Sequence, residues 1–333
     1  MHYNPFIHDY SKDYLTFVAK ESGTFTFTPQ NNNIISYSTD GGSTWTQGNS
    51  VSVNNGDKVM WKGTMTPSND GIGNFSSTAN FDVQGNAMSL LYGDNYMGQT
   101  NLTGKTYVFH RLFRNNIKVI SAEKLSLPAI TLVNDCYDSM FQDCTSLTAA
   151  PKLPATTLAN YCYYSMFYGC TNLTTAPELL ATTLASNCYA YMFKGCTSLT
   201  KAPELPATIL AERCYRFMFQ NCTSLTIAPE LPATTLASGC YLDMFEYCTN
   251  LTTAPELPAT TLASGCYNAM FADCTSLNYI KAMFTTTPSS TYTSDWVRNV
   301  AASGTFVKNA AATWNVTGVD GIPTGWTVET ATE

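Results

Sequence analysis

The chain has 333 residues, enough for about two domains, and 44% of them are apolar, enough for a sizeable core. Charged residues make up only 12% and the net charge is -7; no run of five Lys or Arg occurs, which speaks against nucleic acid as a partner. No stretch approaches the ~18 consecutive apolar residues of a membrane span, and the first thirty residues lack the apolar core of a secretory leader.

In chain order, residues 1–13 form a lead without periodicity. Residues 14–105 alternate apolar and polar side chains in short runs, as half-buried strands do. Tyr14–Ala19, Thr24–Thr28, Ile34–Ser38, Val51–Val53, Val59–Lys62, Asn80–Val83 and Met88–Tyr92 read as strands. Asp40-Gly41-Gly42 and Asn55-Gly56-Asp57 are turn signals between them. This density of short strands predicts an antiparallel β-sandwich. Within it, Ser38-Thr-Asp40-Gly-Gly42-Ser-Thr44-Trp45 fits the Asp-box pattern S-x-D-x-G-x-T-W of sialidase-like propellers. One copy, without an Arg cluster, reads as a stabilised hairpin in which Asp and Ser bond back to the turn.

From residue 127 the chain repeats itself. Cys136, Cys162, Cys188, Cys214, Cys240 and Cys266 advance by 26, and so do Cys144, Cys170, Cys196, Cys222, Cys248 and Cys274. Six units occupy 127–152, 153–178, 179–204, 205–230, 231–256 and 257–282. The consensus runs L-P-A-T-T-L-A-x-x-C-Y-x-x-M-F-x-x-C-T-x-L-T-x-A-P-E. One unit cannot bury its own apolar face, so units must stack. Cys136, Tyr137, Met140, Phe141 and Cys144 lie at i, i+1, i+4, i+5 and i+8, which predicts one face of a short helix. A short parallel strand is expected from Leu147 and ends before Pro151, since proline cannot donate to a ladder. Residues 106–126 contain a degenerate copy, with Asn116 at the Cys144 place and Val119 at the Leu147 place, and read as the N-terminal cap. In the tail, 283–333, Ser294 or Asp295 is expected to cap a helix over Trp296–Ala302. Gly304–Lys308 and Gly325–Glu329 read as strands, and Trp296, Trp314 and Trp326 offer apolar surface to close the stack.

The run Phe141-Gln142-Asp143-Cys144-Thr145-Ser146-Leu147 and its copies resemble the BspA-type leucine-rich repeats of surface proteins from gut and oral bacteria. The resemblance covers 127–282. It implies a leucine-rich-repeat solenoid of short parallel strands and short helices, and an adhesive or binding scaffold without enzyme activity. The fold class expected for the whole chain is thus mixed β and α/β, a β-sandwich followed by that solenoid.

Candidate chemistry is sparse. Tyr, Met, Phe or Leu flank every cysteine within a few positions, so the twelve thiols are expected to be buried and free, as small hydrophobes. If helical, Cys136 and Cys144 would stand about 12 Å apart, too far to bridge. No C-x2-C set suggests a metal, and no cofactor is expected. Glu178, Glu204, Glu230 and Glu256 share one column headed by Lys152 and read as a solvated acidic stripe. The positions that change between copies are the informative ones. Tyr161, Tyr164, Tyr191, Arg213, Arg216, Phe217 and Tyr247 fall on the expected helical side, and Tyr, Phe and Arg are common contact residues in binding surfaces. The function expected is non-enzymatic adhesion or recognition of a protein or glycan on a cell or host surface, with the chain exposed outside its cell of origin. The alternative is a phage fibre or receptor-binding component of a virion, which the opening Met1-His-Tyr-Asn-Pro5 favours. A carbohydrate-active enzyme comes third, because no nucleophile–base set, metal set or phosphate loop is evident.

Overall fold

The structure, a computed structural model, describes residues 8–331; the opening Met1–Pro5 lies outside them. The chain is β-rich with few helices. Its first part forms β1 (Leu15–Ala19), β2 (Gly23–Pro29), β3 (Ile35–Ser38), β4 (Thr46–Gln47), β5 (Ser50–Val53), β6 (Lys58–Gly63), β7 (Gly73–Ser77) and β8 (Phe81–Asn86). With β9 (Val119–Ser126) they make a six-stranded sheet, β4-β3-β6-β1-β8-β9, and a three-stranded sheet, β5-β2-β7. Alternation explains the core between them. Phe25 and Phe27 are buried on β2, and Phe25 meets Phe17 of β1 edge-on at 5.4 Å. Phe17 also meets Phe75 of β7 at 4.7 Å.

Two local expectations fail here. Met88–Tyr92 is not a strand but contains a single helical turn, α1 (Ser89–Tyr92). Its apolar run does not alternate, and such a run fits a buried helix as well as a strand. Ser89 fixes the turn: its hydroxyl accepts from the Leu15 N–H and donates to the Trp61 carbonyl. The strand β7 escaped notice because Phe75 is its single large apolar residue.

The strand β9 joins the sandwich to the repeats. It pairs in parallel with β8, and Ser121 bridges in parallel to Ala149 of the first unit. The ring of Phe75 stacks on Phe113 at 5.7 Å, and Phe113 on Phe141 at 5.2 Å. The buried Asn116 amide donates to the Phe75 carbonyl at 3.0 Å, as the Cys144 thiol donates to the Phe113 carbonyl at 3.0 Å. So β7 takes the place of a preceding unit, and the sandwich and the repeats share one apolar core.

Successive 26-residue units lie side by side in register. Tyr137, Tyr163, Tyr189, Tyr215, Tyr241 and Tyr267 stack with centroids 5.6–5.9 Å apart and planes within 12°. A Phe column from Phe113 to Phe271 runs beside it at 5.2–5.8 Å. The helices expected in each unit do not form. Over 135–144 the even-numbered N–H groups close turns onto the carbonyl three residues back. The odd-numbered ones, Asp135, Tyr137, Ser139, Phe141 and Asp143, donate to the next unit. An α-helix needs every N–H for its own i−4 carbonyl; here half of them tie neighbouring units together. The inward set Cys136, Tyr137, Met140, Phe141 and Cys144 is nonetheless buried, because four-residue turns place i, i+4 and i+8 on one side. The short strands after Leu147 shrink to single bridges such as Ala149↔Thr175 and Lys201↔Ile227. Proline at Pro151 and its equivalents stops the ladder there.

The tail extends the same pattern. Asp295 is left-handed at φ 54°, so the expected helix over Trp296–Ala302 is again a series of turns. The sixth unit, which has no proline after Leu277, ends in a parallel strand, β10 (Tyr279–Ala282), and the tail adds β11 (Thr305–Lys308) and β12 (Thr327–Thr330) to it. Trp296 is fully buried against Tyr267 and Phe271, and its indole N–H donates to the Gly321 carbonyl. Among the described residues, no helix is long and apolar enough to cross a membrane.

Candidate recognition site on the turn side

The turn side has a fixed backbone rhythm. Three residues per unit, four apart, sit at φ between 48° and 74°: Asp135, Ser139 and Asp143 in the first unit, and their equivalents in all six. Gly, Asn and Asp tolerate this left-handed region best, and most of the eighteen positions hold Gly, Asn, Asp, Ser or Ala. Five hold bulky residues instead: Tyr161, Tyr191, Arg213, Phe217 and Tyr247. A left-handed conformation costs such a residue about 1–2 kcal/mol. All five belong to the seven candidate positions. The other two, Tyr164 and Arg216, have ordinary backbones. Packing does not require the bulky choice, since small residues fill the same places in other units.

The structure brings five of the seven together. Tyr161 meets Tyr164 at 5.6 Å, Tyr164 meets Tyr191 at 5.2 Å, and Tyr191 stacks on Phe217 at 4.6 Å and 20°. The result is a strip of rings crossing three units. The Arg216 guanidinium lies 4.6 Å from the Phe217 centroid and 5.7 Å from that of Tyr191. Lys194 joins the strip, its ammonium 5.2 Å from Phe217, 5.4 Å from Tyr191 and 5.6 Å from Tyr168. Lys194 and Tyr168 are also among the positions that vary between copies on that side. Arg213 turns instead to Glu212 at 3.5 Å. Tyr247 stands apart, beside Asp273, which Arg298 holds at 2.8 Å.

The electrostatics of the strip follow from partial burial. Desolvation pushes the Tyr164 phenol up to about 12 and lowers the Lys194 ammonium. Among the described residues, neither Lys194 nor Arg216 meets a carboxylate oxygen within 4.0 Å. The Arg216 Nε is shut off from solvent without a hydrogen-bond partner. Next to them, burial first and the Glu246 charge second push the Asp243 carboxyl up to about 7. Glu246 itself is engaged by the Gln220 amide and by Arg298. Sequence reading missed Asp243, because Asp in a left-handed place looks like ordinary turn chemistry.

The remaining candidates are structural or solvated. All twelve cysteines are buried thiols. Those of the second column donate to the Phe carbonyl of the preceding unit at 2.9–3.2 Å. Burial raises every one of their pKa values; Cys222, for instance, reaches about 12. The 12 Å helical separation of Cys136 and Cys144 lapses with the helix. Glu178, Glu204, Glu230 and Glu256 are exposed, and Glu256 pairs with Lys281 at 3.1 Å. Beside the stripe lies a cleft of about 760 Å³ lined by Pro177, Glu178, Leu180, Lys201, Glu204 and Pro206 among others. The Asp-box turn bonds onto itself: Asp40 accepts from the Thr44 N–H at 2.9 Å and from the Thr44 hydroxyl at 2.6 Å. Near the sandwich, the Ser139 hydroxyl donates to Asp138, whose other oxygen lies 3.2 Å from His110 Nδ1. The serine thus faces the carboxylate and not the imidazole, the wrong order for an activated nucleophile. Comparison of the chain with protein-family models, curated proteins and solved structures finds no match.

Proposed function

We propose that this protein is a non-enzymatic recognition scaffold that acts outside its cell of origin, and that its repeats form a leucine-rich-repeat solenoid of the BspA type. The observation that carries the reading is the ring strip. Bulky side chains occupy left-handed positions where Gly, Asn or Asp costs least, and they cluster on neighbouring units. Local strain of this kind is retained where the surroundings over-determine it, often at ligand-binding surfaces. Rings also supply contact area with few rotors to immobilise, and Arg is enriched among the residues that carry binding energy. The partner is a molecule on a cell or host surface.

Attachment of the full chain to target cells, or to immobilised surface material from them, tests the reading. Arg216→Ala with Phe217→Ala is expected to weaken attachment about tenfold or more, the loss of one or two good anchors. Glu204→Ala with Glu230→Ala is expected to leave it within about twofold. Loss only in the glutamate variant moves the contact to the acidic stripe and overturns the assignment.

A further inference from the structure

We infer that the ring strip binds an acidic saccharide, a sugar bearing a carboxylate or a sulfate, with Arg216 and Lys194 as its anion contacts. The inference rests on the recognition reading above and narrows its ligand. Two features of the strip meet in that chemistry.

The first is the row of rings. Tyr164, Tyr191 and Phe217 come from successive units and are half-buried, each within 5.2 Å of the next. Their order is imposed by the stacking of units, so the row is preformed and little is lost in organising it on binding. A pyranose ring presents a flat face of C–H groups with hydroxyls at its edge. It suits a rigid aromatic row flanked by polar side chains, where an extended peptide asks for pockets or a free sheet edge.

The second is the pair of cations. Lys and Arg are rarely withdrawn from water unless paired. Lys194 and Arg216 are both partly withdrawn, lie over the same two rings, and lack a carboxylate within 4.0 Å among the described residues. Each repels the other, and Glu246 and Asp243 draw on Lys194 only from a distance. The nearby acids do not fill the role: Gln220 and Arg298 occupy Glu246, and Asp243 is driven toward its neutral form by burial. An anionic oxygen pair brought by a ligand satisfies the guanidinium fork, which matches planar carboxylates and sulfates. An acidic peptide would use the cations and leave the ring row without a role.

The test is a titration of the full chain against immobilised saccharides in three arms: carboxylate-bearing sugars, sulfated sugars, and the same sugars with the acidic group removed. An acidic peptide serves as a fourth arm. One or both acidic arms are expected to bind about tenfold or more tighter than the neutral arm, and which arm binds identifies the acidic group. Arg216→Gln with Lys194→Met should abolish that preference, while Lys152→Gln, an exposed cation in the acidic column, leaves it unchanged. Arg216→Lys, which keeps the charge but loses the fork, should fall between them, and circular dichroism checks that each variant folds. Equal binding of neutral and acidic sugars, or tighter binding of the peptide, overturns the inference and leaves the recognition reading standing. Absence of saccharide binding, with attachment to cells still lost in the ring variants, also sinks the saccharide and keeps the scaffold. Attachment unaffected by any strip variant sinks both.

Discussion

At the level of single residues, the left-handed positions are of two kinds, small or turn-forming and bulky. Where the slot holds Asp or Asn the backbone is satisfied at low cost; where it holds Tyr191 or Phe217 the chain carries strain that packing alone does not explain. The identity of these side chains was legible in the sequence as variation against a constant repeat. Their backbone conformation was not, because φ follows from the turn pattern and not from residue type. The thiols show the same division. Their burial could be read from apolar neighbours, whereas the S–H bond onto the Phe carbonyl appears only once units are in register. Asp243 makes a residue-scale prediction. Its folded pKa is raised to about 7 by burial and by Glu246, so the native state holds a proton that the unfolded chain releases near the ordinary carboxylate range. The stability supplied by its neutral form is complete below about pH 4 and declines as pH rises through about 7. Asp243→Asn keeps the neutral shape and suits a left-handed slot. Its denaturant midpoint should exceed that of the parent at pH 8, with the gap closing toward pH 4; parallel midpoints across that window would mean that Asp243 titrates as an ordinary carboxyl.

At the level of elements, periodicity gave the inward set and misnamed the structure that presents it. Over the nine residues from Cys136 to Cys144, repeats of 3.6 and of four residues put the same side chains inside. What separates them is where the N–H groups go, and that depends on the neighbouring unit. The strands after Leu147 fail for a related reason, since Pro cuts those of the first five units to isolated bridges, while the sixth unit, which lacks that Pro, forms β10. The β2 pattern was legible because strict alternation has one reading; Met88–Tyr92 was not, because its apolar run has two. Core and surface assignments survive the renaming and can be tested on one unit. Phe219 is fully buried in the Phe column, 5.7 Å from Phe193 and 5.6 Å from Phe245, and Phe219→Ala should cost about 3–5 kcal/mol. Thr226 is exposed and makes one hydroxyl bond to the Thr200 carbonyl, so Thr226→Ala should cost about 0.5 kcal/mol or less. Similar losses for both in a denaturant titration would reverse the inside–outside assignment.

For the whole molecule, the shared core matters most. The cap segment at residues 106–126 is a change of pattern and not a break in packing: β7 acts as the unit before it, through Phe75 and the bond from Asn116. The stack is thereby anchored at one end by the sandwich and closed over its last full unit by Trp296. The ring strip sits between these ends, on units whose rings and backbones are held from both sides. That placement suits a site that must keep strained side chains in fixed order. In the proposed reading the strip is maintained for binding at some cost to folding, and one variant separates the two. Tyr191→Asn with Phe217→Asn installs, at both left-handed positions, a residue type that tolerates them. Paired measurements of denaturant stability and attachment should find stability unchanged within about 1 kcal/mol or raised, because relief of strain at two sites offsets the lost ring contacts, while attachment falls about tenfold or more. Stability lower by about 3 kcal/mol or more, with attachment intact, would contradict the account and make the rings part of the core.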